Sequence, residues 1–499
     1  MSLSYQHDNS HLPELGVGIT FASEVEPLLE ARPELFDVLE FEPQTSWVEV
    51  PGESAAYRPD ERTLARLVDY PMRKLVHSVG TPVGGTVRPD PGQLALLRAA
   101  IEKLQSPWAS DHLSFNSTPE FRTGFFLPPR QTPEGVAVAC TSVRDLQMGL
   151  GVPIAVETGV NYLRRRSDEM PDGQFVGSVV RNADCGLLLD LHNIFANALN
   201  GRQTVAEFLA EIPLERVWEI HLAGGMELDG FWIDAHSGAI PDPLFEASRI
   251  IVSRLPNLKA IIFEIFPSFV ETAGAAVIYA QMERLHELWS LRGTAVDEPL
   301  PVRSSRTAMP VSFDEGPSPA MWERALGNLV IGRTPGAETL SRELAGDQGV
   351  LLVAAMIREF RASMLVRVLP MSMRLLLLTL GTDAVRALMG ECWAQVPPQG
   401  YASAEAEAFA GYLAAQRLEI PYLNQVLAFE RANAASLVDG KQRVVRFDFD
   451  PVPVFEALAG GELFAGEQER IDLEIMLTGN GPESVTFGPN SGYHKFPFH

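Results

Sequence analysis

With 499 residues, 46% of them hydrophobic and 21% charged, the chain is globular in composition and too long for one ordinary core, which predicts two domains. A formal net charge of −24 excludes a broadly basic surface, so neither nucleic acid nor anionic lipid is an expected partner, a local basic cleft aside. Three cysteines, Cys140, Cys185 and Cys392, stand far apart with no CxxC pair, which predicts buried thiols in a reducing, cytoplasmic compartment.

The opening MSLSYQHDNS has no apolar core, so no export signal is expected there. Residues 16–20 (GVGIT) read as a first strand, and a helix over 23–32 leads to a second at 36–43 (FDVLEFEP). A helix over 60–70 precedes a strand at 74–80 (KLVHSVG), and one over 88–105, apolar at three- and four-residue spacing, precedes 108–115 (WASDHLSF). The alternation continues with a helix at 133–149 and strand 153–159 (PIAVETG), then a helix at 173–183 and strand 185–193 (CGLLLDLHN). A helix at 203–211 leads to strand 217–225, and a helix at 241–255 to the last strand, 260–267 (AIIFEIFP).

Eight nearly continuous apolar strands separated by helices predict a parallel sheet covered on both faces, closed as a (β/α)8 TIM barrel rather than an open doubly wound sheet. Neither GxGxxG nor GxxxxGK[ST] follows any strand, which argues against a nucleotide site. Reading each strand toward its C-terminal end gives His77, His112, Glu157, Asp190 with Asn193, His221, Asp234 with His236, and Glu264. Five of the ten histidines, His77, His112, His192, His221 and His236, fall at or just beyond a strand end. In this architecture those ends converge on one face of the barrel, where catalytic groups sit.

Residues 217–238, VWEIHLAGGMELDGFWIDAHSG, concentrate the pattern. His221 leaves a buried strand, and if the segment after the glycines is extended, Asp234 and His236 point the same way. Carboxylates and imidazoles crowded together need a cation to offset their repulsion and desolvation. Hard carboxylates mixed with imidazoles, without thiolates, suit iron, zinc or manganese, and so many ligands predict two or three ions.

The segments LPELGVGI, KLVHSVG, SDHLSF, VETGVNYL, LLLDLHNIFANALNG, VWEIHLAGG and DAHSGAIPDPLF, in this order, make residues 12–290 resemble the DUF692 family. These are the multinuclear non-heme iron-dependent oxidative enzymes, whose best known member makes methanobactin. The resemblance implies a barrel holding two or three iron ions, dioxygen as co-substrate, and oxidative modification of a ribosomally made precursor peptide, commonly at cysteine. It implies as metal ligands His77, His112, Glu157, Asp190, Asn193, His221, Asp234, His236 and Glu264, with Glu157 or Glu264 as bridging carboxylates. Asp111 and Asn161 are expected as acceptors that orient the histidines.

The chain departs from the family in three places. His192 stands in Asp190-Leu191-His192-Asn193 where Asp-x-Asn-Asn is expected, and is either a further ligand or a contact to a neighbouring ligand or the peptide. If the strand ends at Asp190, Asp190 and Asn193 converge and His192 turns aside, which is the favoured geometry. Gln44-Thr45 stand where Glu-Asn is usual, and FEIFPS replaces charged residues after Glu264. A more distant resemblance is to the endonuclease IV and xylose isomerase barrels, which implies a metal-dependent hydrolase or isomerase as the alternative chemistry. A metal-stabilised peptide-binding module without turnover is the third reading.

Residues 291–319, rich in Pro, Ser and charge, read as a linker. Beyond it, 320–328, 338–345, 349–373, 375–389, 403–416 and 420–433 are helical in pattern and 444–450 alternates as a strand, so 320–499 is expected to be a mainly helical domain. Arg367, Pro370 and Arg374 interrupt its greasiest run, 364–381, which therefore reads as a core or interface helix and not a membrane span. The segment YLAAQRLEIPYLNQVLAFERA resembles the partner proteins that accompany these enzymes and engage the peptide, here fused to the barrel.

Overall fold

The computed structural model describes residues 12–49, 57–294, 316–336 and 338–479, and the backbone of 481–487. Eight strands form a closed, all-parallel barrel: β1 (Gly16–Thr20), β2 (Val38–Phe41), β3 (Arg73–Ser78), β4 (Ala109–His112), β5 (Ile154–Glu157), β6 (Gly186–Asp190), β7 (Val217–Ala223) and β8 (Ala260–Glu264). Each pairs with the next in sequence, and β8 closes on β1 with Gly16 opposite Ala260. Helices such as Pro91–Leu104, Pro133–Leu150 and Ala275–Ser290 cover the outside.

Several strands are shorter than the expected spans because their ends turn into the mouth. The run 108–115 is divided: β4 stops at His112, and Phe115–Ser117 pairs antiparallel with Arg122–Leu127 as a separate hairpin. The run 36–43 stops at Phe41, since Pro43 opens a helical turn, Pro43–Ser46, and has no N–H for a ladder.

Along its axis the barrel interior changes character. Its floor is apolar, with Trp108 and Trp218 meeting edge to face at 6.5 Å among Leu15, Val38, Leu75 and Leu188. Gly186 is required here, because a Cβ would stand 2.2 Å from the Trp218 ring. Above the floor, Trp108 Nε1 donates to Glu219 Oε2 at 2.9 Å, and the polar residues of the mouth begin.

The region after residue 315 has two cores. One is its own: Leu365, Leu376, Val385, Phe409, Val426, Phe447 and Ile475 are buried in a cluster made by helices and a three-stranded antiparallel sheet, Arg443–Phe447, Leu473–Thr478 and Gly481–Phe487. Only the first of those strands was expected. The other core is shared, with Trp322, Leu326, Val350 and Ile357 packed against Phe115, Leu127, Tyr162, Leu163 and Ile233 from the loops at the barrel mouth. Polar contacts fasten the same face: Trp322 Nε1 donates to Pro128 O at 2.9 Å, and the Arg164 N–H donates to Asp347 Oδ2 at 3.0 Å. The expected linker, 291–319, lies mostly within 295–315, outside the described residues.

The expected long helix 349–373 breaks at Leu369, and Pro370 starts a second helix, Pro370–Leu380, bent 113° from Gln348–Val368. Proline cannot donate into the preceding turn. Among the described residues no single helix is long and apolar enough to cross a membrane.

Gly349 marks a tight backbone approach between the two parts. A Cβ there would stand 2.1 Å from Tyr162 O and 2.5 Å from Tyr162 C, both backbone atoms that cannot swing aside. Gly349→Ala is therefore expected to lower stability by about 1–3 kcal/mol, the usual cost of overpacking. Equilibrium denaturation checks it; an unchanged midpoint would mean that the helix is not seated on this loop.

Candidate metal centre

Strand pairing decides which polar residues meet at the mouth. His112 lies opposite Glu157, Asp190 opposite His221, and Ala223 opposite Glu264, while Glu157 lies opposite Leu188, so the C-terminal ends of neighbouring strands from β4 to β8 differ by no more than two residues in register.

The first group is His77, His112 and Glu157. His77 Nε2 and His112 Nε2 lie 3.3 and 3.0 Å from Glu157 Oε2, and the two rings are 4.7 Å apart. Each ring is braced from behind, His77 Nδ1 by Ser110 Oγ at 2.8 Å and His112 Nδ1 by Ser78 O at 3.3 Å. These braces fill the place expected for Asp111 and Asn161, and neither of those residues orients a ring here. Asp111 Oδ1 accepts the backbone N–H of His112 at 2.7 Å and is 4.0 Å from its Nδ1. Asn161 Oδ1 accepts the N–H of Leu163 at 3.0 Å, which shapes its own loop.

The second group, Glu157, Asp190, His221 and Glu264, brings ligand-type atoms within 4.8 Å of one another. His221 Nδ1 is 3.1 Å from Glu264 Oε2 and 4.0 Å from Glu157 Oε1. β6 ends at Asp190 and the helix Leu191–Leu199 starts at once, with Asp190 Oδ1 accepting the N–H of Asn193 at 2.8 Å. The strand therefore ends at Asp190, as the favoured geometry requires, and Asp190 caps the helix through the Asn193 backbone. Asn193 Nδ2 donates to Thr158 O at 3.1 Å.

The third group is Asp234, His236 and Glu264. His236 Nε2 lies 3.1 Å from Asp234 Oδ1 and 3.1 Å from Glu264 Oε2. The expectation that 234 and 236 share an extended face is corrected: the short strand Phe231–Ile233 ends before Asp234, and His236 has φ +44, in the left-handed region. A turn, not alternation, brings the two side chains together. The Asp234 N–H donates to Tyr162 Oη at 3.1 Å, and Tyr162 lies in the core shared with the C-terminal region. His192 Nδ1 approaches Asp234 Oδ1 at 3.1 Å.

Sequence reading missed Glu40 and Glu219. Glu40 and Glu219 are fully buried on β2 and β7 behind His221, with His221 Nε2 3.0 Å from Glu40 Oε1 and 3.7 Å from Glu219 Oε1. The signal was available, since a carboxylate inside a strand buried on both faces has no solvent to turn to. Gln44 donates from Nε2 to Ser78 Oγ at 2.7 Å and ties two mouth loops together.

The electrostatics follow from burial opposed by neighbours. Burial pulls the His77 imidazole down, but the charge and hydrogen bond of Glu157, with Glu40, hold it up at about 10. Burial lifts Glu40 to about 8 against the pull of His221, with Glu219 adding to the lift. Asp190 is pushed well above the usual carboxylate range by burial and by Asp234, Glu157 and Glu264. In Glu264 burial is outweighed by His236 and His221, which hold it well below that range.

The donor set fits metal ions. Glu157 Oε2, Asp190 Oδ2, His192 Nδ1, Asn193 Oδ1, Asp234 Oδ1 and His236 Nε2 are all buried without an aligned hydrogen bond, although several have a nitrogen or oxygen near 3 Å. Atoms that converge without lining donor to acceptor are arranged as around a cation, and unpaired buried polar groups are otherwise costly. Two phenyl rings flank the groups: Phe126 stacks on His112 at 3.9 Å, and Phe266 meets His236 edge-on at 4.4 Å.

Comparison with known proteins gives these groups a context. Residues 29–272 match the family model described as RiPP precursor modification enzyme MbnB/TglH/ChrH. A UPF0276 protein of Chromobacterium violaceum is 32% identical over 223 residues, 45% of this chain and 81% of that protein. The chain belongs to this family. The MbnB/TglH/ChrH family is one of RiPP precursor modification enzymes, and the matched residues contain β2 to β8 and every group above. A UPF0276 protein of Streptomyces avermitilis is 34% identical over 230 residues, which is 45% of this chain and 47% of that one, so the chain spans about half the length of that relative. Among solved structures, a xylose isomerase domain protein from Planctomyces limnophilus aligns with TM-score 0.37 at 12% identity, over 56% of this chain and 97% of that one.

Proposed function

We propose that this member of the MbnB/TglH/ChrH family is a multinuclear iron enzyme that uses dioxygen to modify a ribosomally synthesised precursor peptide oxidatively in the cytoplasm, with residues 320–499 engaging the peptide. The observation that carries the reading is the sharing of carboxylates: Glu157 belongs to the first and second groups and Glu264 to the second and third. Glu157 faces its two sets with different oxygens, and Glu264 presents Oε2 to both His221 and His236; a carboxylate shared by two ligand sets is suited to bridging neighbouring cations. His77, His112, Glu157, Asp190, Asn193, His221, Asp234, His236 and Glu264 would hold the ions. The three free cysteines are buried and outside these groups, so imidazole and carboxylate supply the donors, a set that suits iron.

Bound iron would supply activation of dioxygen and oxidation of the peptide. The protein's own contribution is positioning. Ser110 and the Ser78 carbonyl aim the Nε2 atoms of His77 and His112 into the mouth, while Glu40 holds His221 so that Nδ1 faces Glu264. His112 and Asp234 keep part of their surface open, and Phe126 and Phe266 give the opening apolar walls beside charged groups. The helices of residues 316–357 lie against the same loops, a placement that suits presentation of a peptide to the mouth.

Anaerobic purification with metal quantification and Mössbauer spectroscopy, followed by admission of air and mass spectrometry of a candidate precursor peptide, tests this. The expected result is two or three irons per chain and peptide-dependent oxygen uptake with a mass change in the peptide. Turnover without oxygen would favour the hydrolase or isomerase reading. Peptide binding with no oxygen uptake would leave a metal-stabilised binding module.

A further inference from the structure

His192 stands among the groups of the mouth, and its Nδ1 points at Asp234 as a ligand's would. Its other nitrogen decides what it does. Trp232 Nε1 donates an aligned hydrogen bond to His192 Nε2 at 3.1 Å. An indole N–H is a donor only, so the nitrogen it meets must offer a lone pair. A neutral imidazole has one such nitrogen and carries its proton on the other. With Nε2 occupied by the indole, the proton is on Nδ1, which lies 3.1 Å from Asp234 Oδ1 without an aligned hydrogen bond to it. A nitrogen that bears a proton has no lone pair for a metal. Doubly protonated histidine is excluded by the same contact, since it would set two N–H donors against each other.

We propose that Trp232 fixes the Nδ1–H tautomer of His192, which bars His192 from metal ligation through the nitrogen that faces Asp234.

The surroundings are built to hold this pair. Trp232 is anchored at both backbone polar groups by one side chain, its N–H donating to Asn200 Oδ1 at 2.8 Å and its carbonyl accepting from Asn200 Nδ2 at 2.9 Å. Phe195 meets the indole edge-on at 6.5 Å. The third wall is Gly225, where a Cβ would lie 2.4 Å from His192 Nε2 and 2.4 Å from Trp232 Nε1, so only glycine lets the two nitrogens meet. His192 is completely buried, and water cannot supply a competing partner.

The tautomer argument stands apart from the proposed oxygen chemistry and can be read without iron. Nitrogen NMR on the full chain with isotope-labelled histidine, metal-free and zinc-loaded, reports which ring nitrogen is protonated, and His192 is assigned by the signals lost in His192→Asn. The expected spectrum has His192 Nε2 unprotonated and Nδ1 protonated, unchanged by zinc. Trp232→Phe removes the donor while keeping an aromatic ring, and is expected to shift His192 toward the Nε2–H form. His192→Asn is expected to keep the wild-type zinc content.

A wild-type His192 protonated on Nε2, or loss of one zinc per chain in His192→Asn, would overturn the proposal and make His192 a ligand. A tautomer indifferent to Trp232→Phe would overturn the role of Trp232. Should that variant not fold, the wild-type spectrum still decides. A wild-type chain that took up neither zinc nor iron would instead sink the metal reading above, and the metal-free spectrum would still report the tautomer.

Discussion

Replacing Glu157 with alanine is expected to empty two neighbouring metal positions at once and to abolish peptide modification. Glu157 faces His77 and His112 with one oxygen, and with Asp190, His221 and Glu264 it forms the second group. Loss of a residue that merely supports a ligand costs about 10–100-fold in metal affinity, and loss of a shared ligand should exceed that at both positions. Metal content per chain after dialysis checks it, with His286→Ala, on an outer helix, as a control expected to keep full occupancy. A Glu157→Ala chain that retained its ions would remove the basis for shared ligation.

The same experiment has a pH signature. In the metal-free chain His77 holds its proton up to about 10, so a cation must displace that proton to reach the imidazole. Affinity therefore rises with pH below that value, by about tenfold per unit for each proton displaced. Acidification of a weakly buffered solution on zinc addition, reduced in His77→Ala, is the corresponding direct observation.

The largest stability effect is expected far from the mouth, at Glu405. Arg361 and Glu405 form an ion pair at 2.7 Å, with side chains 2% and 1% exposed. Glu405 Oε1 also accepts from Trp393 Nε1 at 3.0 Å, and Oε2 accepts the N–H of Gln399 at 3.0 Å. Glu405→Ala leaves the Arg361 charge buried with the carbonyls of Val396 and Pro397 and the face of Trp393 beside it, and no counter-charge. Breaking one side of such a pair costs roughly 3–5 kcal/mol, much more than an exposed pair contributes. Because this pair belongs to the C-terminal core, its unfolding should precede that of the barrel in a denaturant titration. A loss below about 1 kcal/mol would show that water reaches the guanidinium once the carboxylate is gone.

Much of the barrel was legible because its signal is local. A strand buried on both faces must be apolar throughout, and a helix against it must carry a stripe at three- and four-residue spacing, so GLLLD and AIIFE announce themselves wherever they occur. The polar residue that follows each strand was equally visible, since the chain leaves the barrel there. In the C-terminal region the same reading found most helices but placed the break at Pro370 a few residues late and ran one expected helix, 375–389, through the break at Gly381.

What the sequence by itself determined is therefore the alternation of elements, the closing of eight strands, and the crowding of carboxylate and imidazole at one end. The tertiary structure alone decided which of those groups share a cation-like position and which residues stand behind them. His221 meets Glu40 across 181 positions, Trp108 meets Glu219 across 111, and Arg164 meets Asp347 across 183. Periodicity describes neighbours a few residues apart and is silent at those separations. The turn that gives His236 its positive φ, the indole that occupies His192 Nε2, and the Gly349 contact that seats a C-terminal helix on the Tyr162 loop all depend on atoms that only folding brings within a few ångströms.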